Sequence, residues 1–320
     1  MTIARRIFVS SPRNEYLDDR RNELKWAIVK EIEALGYEAQ VFGSPEGGRG
    51  LPSFMRSSWS PAAADEVMQR CVGAAILGFP IWQCSRASGK KESVSLVTEY
   101  CHYEGALART YGLPILAVLE DGVEERVFFN RYAGDPFITI PAQADLTWVA
   151  GSSFRAFLDN WNGRIRDRRD IFLAYSGHEE GTALSIKGIL TRLGATVLDW
   201  KKDFSAGPTI LEQVESGARR TSGGVFLLTR DDRLQGEVEQ FAPRDNVIFE
   251  AGYFVRSKGH KRVLILLEEG AKVPADLGGI IYEPLADTPN VQDLEGRLRL
   301  FLDTSIWSTR AQPSAAADAP

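Results

Sequence analysis

Short apolar runs alternate with longer amphipathic stretches along most of the chain. The run "RRIFVSSP" reads as a strand that ends in small polar residues, and a charged segment with helical spacing follows from about Tyr16 to Leu35, closed by Gly36. "YEAQVF" then reads as a strand, residues 63 to 71 as a helix, "VGAAILGF" as a buried strand, "TEYCHYEGALARTYG" as a helix and "LPILAVLEDG" as another buried strand. Strands this apolar need both faces covered, so the alternation predicts a parallel sheet with crossover helices, an α/β fold.

From Arg169 the same order returns. "RDIFLAYSG" answers "RRIFVSSP", "LGATVLDW" answers "LGYEAQVF", "SGGVFLLT" answers "VGAAILGF", and "IFEAGYFVRSKGHKRVLILLEEG" answers "HYEGALARTYGLPILAVLEDG". The offset drifts from 164 positions (Phe8 to Phe172) to 146 (Glu104 to Glu250), so the first copy carries the longer loops. "GSPEGGRGLPSFMRSSWSP" and "CSRASGKKESVS" have loop composition. The pattern gives a first domain over residues 1–150, a linking helix over 151–168 that packs on one unit, a second domain over 169–306 and a disordered tail over 307–320.

Composition narrows the partners. A net charge of −5 gives no basic footprint for nucleic acid or an anionic membrane. No signal-peptide pattern and no run of about 18 apolar residues is present, which points to a cytoplasmic protein without membrane attachment. The three cysteines, Cys71, Cys84 and Cys101, have no CxxC spacing and read as reduced packing residues; with three histidines, no metal site is expected.

Ligands of an open parallel sheet collect at the carboxyl ends of its strands. In the second unit those ends carry Ser176, Gly177 and His178, then Trp200, then Thr229 with Arg230, Asp231 and Asp232, and finally Asn246 at the start of a helix. That helix places Glu250 among Val247, Ile248, Phe249 and Phe254, about one turn in, with Ile248, Phe249 and Phe254 packing. By position alone, Glu250 is either a partly desolvated acid in the cleft or a helix-end acid paired with Arg244. Trp200 reads as core or as a stacking platform, and His178 as a phosphate contact or the end of a turn.

The block "RDNVIFEAGYF…KRVLILLEEG…VPADLGGIIYEPL", with "FLAYSGHEEGTALSIKGILTRLGATVLDW" upstream, resembles the bacterial TIR-like family of nucleotide-binding proteins found among antiphage NAD-consuming effectors. The resemblance covers residues 169 to about 286, and together with the internal repeat it implies two tandem flavodoxin-like (TIR-like) units, each a parallel sheet flanked by helices. It assigns Glu250 the cleavage of the bond between nicotinamide and ribose of NAD. It puts Ser176, Gly177 and His178 in the nucleotide pocket, although the family often begins this loop His-Gly-His where this chain has Tyr175, Ser176, Gly177. NAD is then a consumed substrate, and no further cofactor is implied. Trp200 or Phe249 would stack on a base, with Thr229 and Asn246 beside it. The family also implies a homo-oligomer on activation and a nucleotide signal or phage-derived activator.

In the first unit the repeat puts Glu104 where the second has Glu250, with Glu99 five residues earlier. "TEYCHYEGALARTYGLPILAV" resembles the helix of nucleoside 2-deoxyribosyltransferases, with Leu113 in place of the usual lysine before Pro114, and the opening strand resembles that of other TIR-like modules. This unit is then a second active site, a ligand sensor or an inactive scaffold, and a regulatory role is preferred. The leading expectation is an NAD+ glycohydrolase acting in antiphage defence. The alternatives are a non-catalytic nucleotide-sensing module and a nucleoside or nucleotide hydrolase working from the first unit.

Overall fold

A computed structural model of the chain describes residues 5–41, 59–87, 93–132, 135–203, 209–235, 240–272, 281–285 and 291–307. The chain divides into two compact units, Met1–Asp167 and Arg168–Pro320. Residues 308–320 of the proposed tail, the bulk of the Gly- and Ser-rich stretch before Trp59 and the "FSAGP" segment lie outside the described residues, while Trp307 packs against the core of the second unit.

In the first unit, β1 (Arg6–Ser10), β2 (Glu38–Val41) and β3 (Gly73–Gly78) are followed by a short antiparallel hairpin of β4 (Trp82–Ser85) and β5 (Ser93–Leu96), then β6 (Ile115–Glu120) and β7 (Phe137–Ile140). The five main strands are all parallel, in the order β2-β1-β3-β6-β7. Helices α1 (Asp19–Ala34), α2 (Pro61–Met68), α3 (Glu99–Thr110) and α4 (Ser152–Arg166) belong to this unit. The second unit repeats the plan with β8 (Arg169–Ala174), β9 (Val197–Asp199), β10 (Thr221–Leu228), β13 (Val263–Glu268) and β14 (Ile281–Leu285), order β9-β8-β10-β13-β14, and a hairpin of β11 (Asp232–Leu234) and β12 (Gln240–Ala242). Its helices are α5 (Glu180–Arg192), α6 (Ile210–Arg220), α7 (Asp245–Lys258) and α8 (Val291–Phe301). Both orders are the doubly wound 2-1-3-4-5 of flavodoxin-like sheets, whose ligands sit where strand order reverses. The fold expected from the alternation is the fold found.

Local chemistry explains the elements. Asp18 caps α1 by accepting from the Arg21 N–H, and Gly36, at φ +89°, turns the chain out of the helix where a side chain would be strained. The centres of β1, β3, β6, β8 and β10 are buried on both faces, so each sheet separates two apolar clusters. The linking helix is α4. Its Phe154, Leu158, Trp161 and Ile165 form one buried stripe in the core of the first unit, and Trp161 Nε1 donates to the Pro114 carbonyl at 3.0 Å.

Two expectations need correction. "CSRASGKKESVS" contributes residues to both strands of the β4–β5 hairpin rather than only to a loop, because its cross-strand bonds run through Gln83 and Ser93 at the surface rather than through core burial. Cys84 lies exposed on that hairpin, while Cys71 and Cys101 are packing residues.

The deep seat of Trp161 generates a test. Trp161→Ala should lower stability by about 3–5 kcal/mol, and Trp161→Phe by much less, because the alanine empties a fully enclosed volume. Denaturant unfolding followed by circular dichroism reads both.

Candidate active site

The site starts from the packing stripe of α7. Val247, Ala251 and Phe254 recur at helical spacing and face the sheet. The Phe254 ring stacks on Phe172 at 4.8 Å and meets Phe226 at 5.2 Å, which fixes how deep the helix sits. Glu250, the sixth residue of α7, lies on this same face and is only 7% exposed. No residue among those described donates a hydrogen bond to its carboxylate or pairs with it. Arg244 is engaged elsewhere, its Nη1 lying 3.2 Å from Asp232 Oδ1, so the alternative of a Glu250–Arg244 ion pair is not what the structure has. Burial alone pushes the Glu250 carboxyl up to about 7.

Above this carboxyl the sheet edge opens into a cleft of about 170 Å³. Tyr175, Ser176 and Gly177 supply one wall from the loop after β8, and Trp200 borders it just after β9. Ile210 and Gln213 reach in from the first turn of α6, and Arg244, Asn246 and Val247 come from the start of α7. The walls are held by bonds behind them. Tyr175 donates its hydroxyl to Asp199 Oδ1 at 3.0 Å, Lys187 Nζ pairs with Asp199 Oδ2 at 3.1 Å, and Trp200 Nε1 donates to the Tyr175 carbonyl at 3.0 Å. A capping box between Thr209 and Glu212 fixes the start of α6. Ser176, in contrast, is 3% exposed and its hydroxyl has no hydrogen-bond partner among the described residues. No group of three or more His, Cys, Asp or Glu side chains placed to hold a metal occurs among the described residues.

The cleft therefore gathers Glu250, Ser176, Gly177, Trp200 and Asn246. Trp200 is both wall and packing residue, half-buried against the apolar clusters on both faces of the sheet. Three expected members are elsewhere. His178 is exposed on a single 3-10 turn, and Phe249 is 51% exposed because it falls off the buried stripe of α7. Thr229 is fully buried: its hydroxyl donates to Asp231 Oδ2 at 2.9 Å, and that carboxylate also accepts the Arg244 N–H at 3.2 Å, so Thr229 helps to seat the start of α7. Tyr175, Ile210, Gln213, Arg244 and Val247 were not anticipated as lining residues. "TILE" at 209–212 is a helix-start signature, but nothing in the sequence sets that start over the cleft.

The first unit offers a comparison. Glu104 is the sixth residue of α3, is 4% exposed, and burial likewise pushes it up to about 7, while the nearby Ser10 hydroxyl and the Trp59 indole pull the other way. Unlike Glu250 it has a donor: Trp59 Nε1 bonds Glu104 Oε1 at 2.6 Å. Glu99, at the first position of α3, is exposed. Glu99 and Glu104 thus do not share one environment.

A carboxyl whose pKa is higher folded than unfolded costs nothing below about 4.5 and progressively more as pH rises to about 7, beyond which the cost is constant. Glu250→Gln should therefore raise the melting temperature at pH 8 by several degrees and have little effect at pH 4, a difference on the order of 3 kcal/mol. Scanning calorimetry at the two pH values checks it, and equal effects at both would remove burial as the cause.

Comparison with known proteins gives similarity over part of the chain. The aligned segment is 30% identical over 120 residues to the uncharacterized protein YuaY of Escherichia coli (strain K12), covering 37% of this chain and 40% of that one. It is 36% identical over 115 residues to CD-NTase-associated protein 12 of Flavobacterium daejeonense, covering 33% and 37%, and 26% identical over 132 residues to the Pycsar effector protein BcPycTIR of Burkholderia cepacia, covering 38% and 44%. The chain thus spans less than half the length of each of these relatives. Residues 170–287, which hold the second sheet and the cleft, match the family model described as CAP12/Pycsar effector protein, TIR domain.

Proposed function

We propose that the second unit is an NAD+ glycohydrolase that cleaves the bond between nicotinamide and ribose, with Glu250 as its catalytic residue. The observation that carries this reading is a nearly enclosed carboxyl with no counter-ion among the described residues, facing a cleft in a segment that matches a TIR domain. Nicotinamide departs from NAD+ as a neutral ring, taking the bonding electrons, so little acid assistance is needed. What must be stabilised is the oxocarbenium-like ribose left behind. A carboxylate in a poorly hydrated site does this well, because the field it exerts on a nearby positive centre is weakly screened. It also accepts hydrogen bonds from the ribose hydroxyls. Water then adds to the anomeric carbon and loses a proton, giving ADP-ribose; cyclic ADP-ribose arises if an adenine nitrogen adds instead. Trp200, its ring fixed through Tyr175, offers an aromatic wall.

On this reading the protein is an antiphage defence effector, a role the match to an effector TIR domain supports, and it acts in the cytoplasm as an assembled homo-oligomer switched on by a nucleotide signal or a phage-derived activator. Among the described residues no helix is long and apolar enough to cross a membrane. The first unit serves regulation on this reading: its equivalent acid, Glu104, is already engaged by Trp59.

Purified protein incubated with NAD+ under conditions that promote assembly should release nicotinamide. Glu250→Gln should reduce that release about a thousandfold or more while leaving circular dichroism unchanged; undiminished turnover in the variant sinks the assignment. Because the ionised form works and Glu250 titrates at about 7, kcat/KM should climb with unit slope up to about pH 7 and level off above it.

A further inference from the structure

The cleft contains one cation among its described lining residues, Arg244, and the reaction at Glu250 gives it no task. Arg244 is the N-cap of α7 and is half-exposed. Its side chain pairs with Asp232 at 3.2 Å, while its backbone N–H is held by Asp231. The pair is between partners that are 44% and 47% exposed, the kind of contact that contributes little and exchanges readily. The start of a 14-residue helix lies at the same point and adds positive potential. A second observation comes from the loop after β8, where the buried Ser176 hydroxyl, also lining the cleft, has no partner among the described residues. A guanidinium at the mouth and an unused hydroxyl deeper in the cleft are donors waiting for an anion.

Spacing identifies the anion. Arg244 precedes Glu250 by six residues, between one and two turns and about 9 Å along the axis. In a dinucleotide, half a ribose ring and one methylene group separate the anomeric carbon from the first phosphate, a gap that a flexible arginine at that offset can bridge. We propose that Arg244 recognises the diphosphate of the substrate, with Ser176 donating to the same group, so that the cleft selects dinucleotides over simple nucleosides. The inference takes its substrate from the glycohydrolase reading. Arg244 is therefore a specificity residue: it forks onto phosphate oxygens in ground state and transition state alike, which lowers KM without changing the chemical step.

The test compares wild type, Arg244→Gln, Arg244→Lys and Ser176→Ala in the full chain, with NAD+ and nicotinamide riboside as substrates and ADP-ribose as a binding probe. In Arg244→Gln, KM for NAD+ should rise about tenfold or more, with kcat changed less than threefold and kcat/KM for nicotinamide riboside unchanged. Arg244→Lys should recover part of the loss, and Ser176→Ala should show a smaller loss confined to NAD+. Equal losses on both substrates, or an unchanged KM for NAD+, overturn the proposal. Calorimetric titration with ADP-ribose separates this inference from the hydrolase reading. If no NAD+ is turned over yet ADP-ribose binds and Arg244→Gln weakens it about tenfold, the diphosphate site stands while the hydrolase reading falls. Folded wild-type protein that fails to bind ADP-ribose, or binding indifferent to Arg244→Gln, overturns the site itself.

Discussion

The second unit is organised around the cost of burying one carboxyl that has no counter-ion among the described residues. Glu250 occupies a position on α7 that helical periodicity reserves for an apolar side chain, and the residues around it pay no attention to its charge: Val247, Ala251 and Phe254 pack as they would beside a leucine. Such a group survives only if its surroundings are over-determined. Here they are. The Phe172, Phe226 and Phe254 rings fix the height of the helix, and Asp231, braced by Thr229, fixes its start. Slack in either would let α7 roll and hydrate the acid, and the raised pKa would relax.

In the first unit several charged groups near the strand ends are held by bonds of their own. Glu120 at the end of β6 is paired with Arg20 and Arg21, at 2.8 and 2.7 Å. Lys25, fully buried and pushed down to about 8 by desolvation, donates to the Pro12 carbonyl and to Asn14 Oδ1, both at 2.8 Å. Glu104 has the Trp59 indole. Both ring nitrogens of His102 are buried without hydrogen bonds among the described residues. Strand order and helix register repeat between the units, and the equivalent acids share a helix position and a direction of titration. What differs is the partner. An acid engaged by an indole is held in place, whereas one facing a cleft is available to a ligand, and on the glycohydrolase reading this contrast favours the second unit.

Much of this could be read from the residues, and the failures have physical reasons. Strands buried on both faces announce themselves, so β1, β3, β6, β8, β10 and β13 were legible, as were the helices with a continuous stripe. The edge strand β7 was not: its burial pattern is mixed, and four residues are too few for a period to show. The β4–β5 hairpin is polar and lies at the surface, so composition mistook it for loop. Glu250 was visible because a charge inside an apolar run is an anomaly at any scale. Phe249 lies off the cleft because one step along a helix turns a side chain by 100°, away from the stripe, and Thr229, just past the end of β10, turns inward to Asp231. The contributions of Ile210 and Gln213 depend on how a crossover helix returns over the sheet, which is tertiary geometry.

A pKa near neutrality also makes the acid responsive to what enters the cleft. A carboxyl shifted by desolvation alone has no specific partner to lose, so the nearest new charge dominates its titration. On the glycohydrolase reading the arriving nicotinamide ring is cationic, and its approach favours the carboxylate, the form that works. When the ring leaves as a neutral molecule that support vanishes, while the diphosphate near Arg244 remains and favours the protonated form. Substrate would thus ionise its own catalyst and product would quiet it. The burial that makes the empty site costly at high pH is the same property that lets the charge of the ligand decide the state of Glu250.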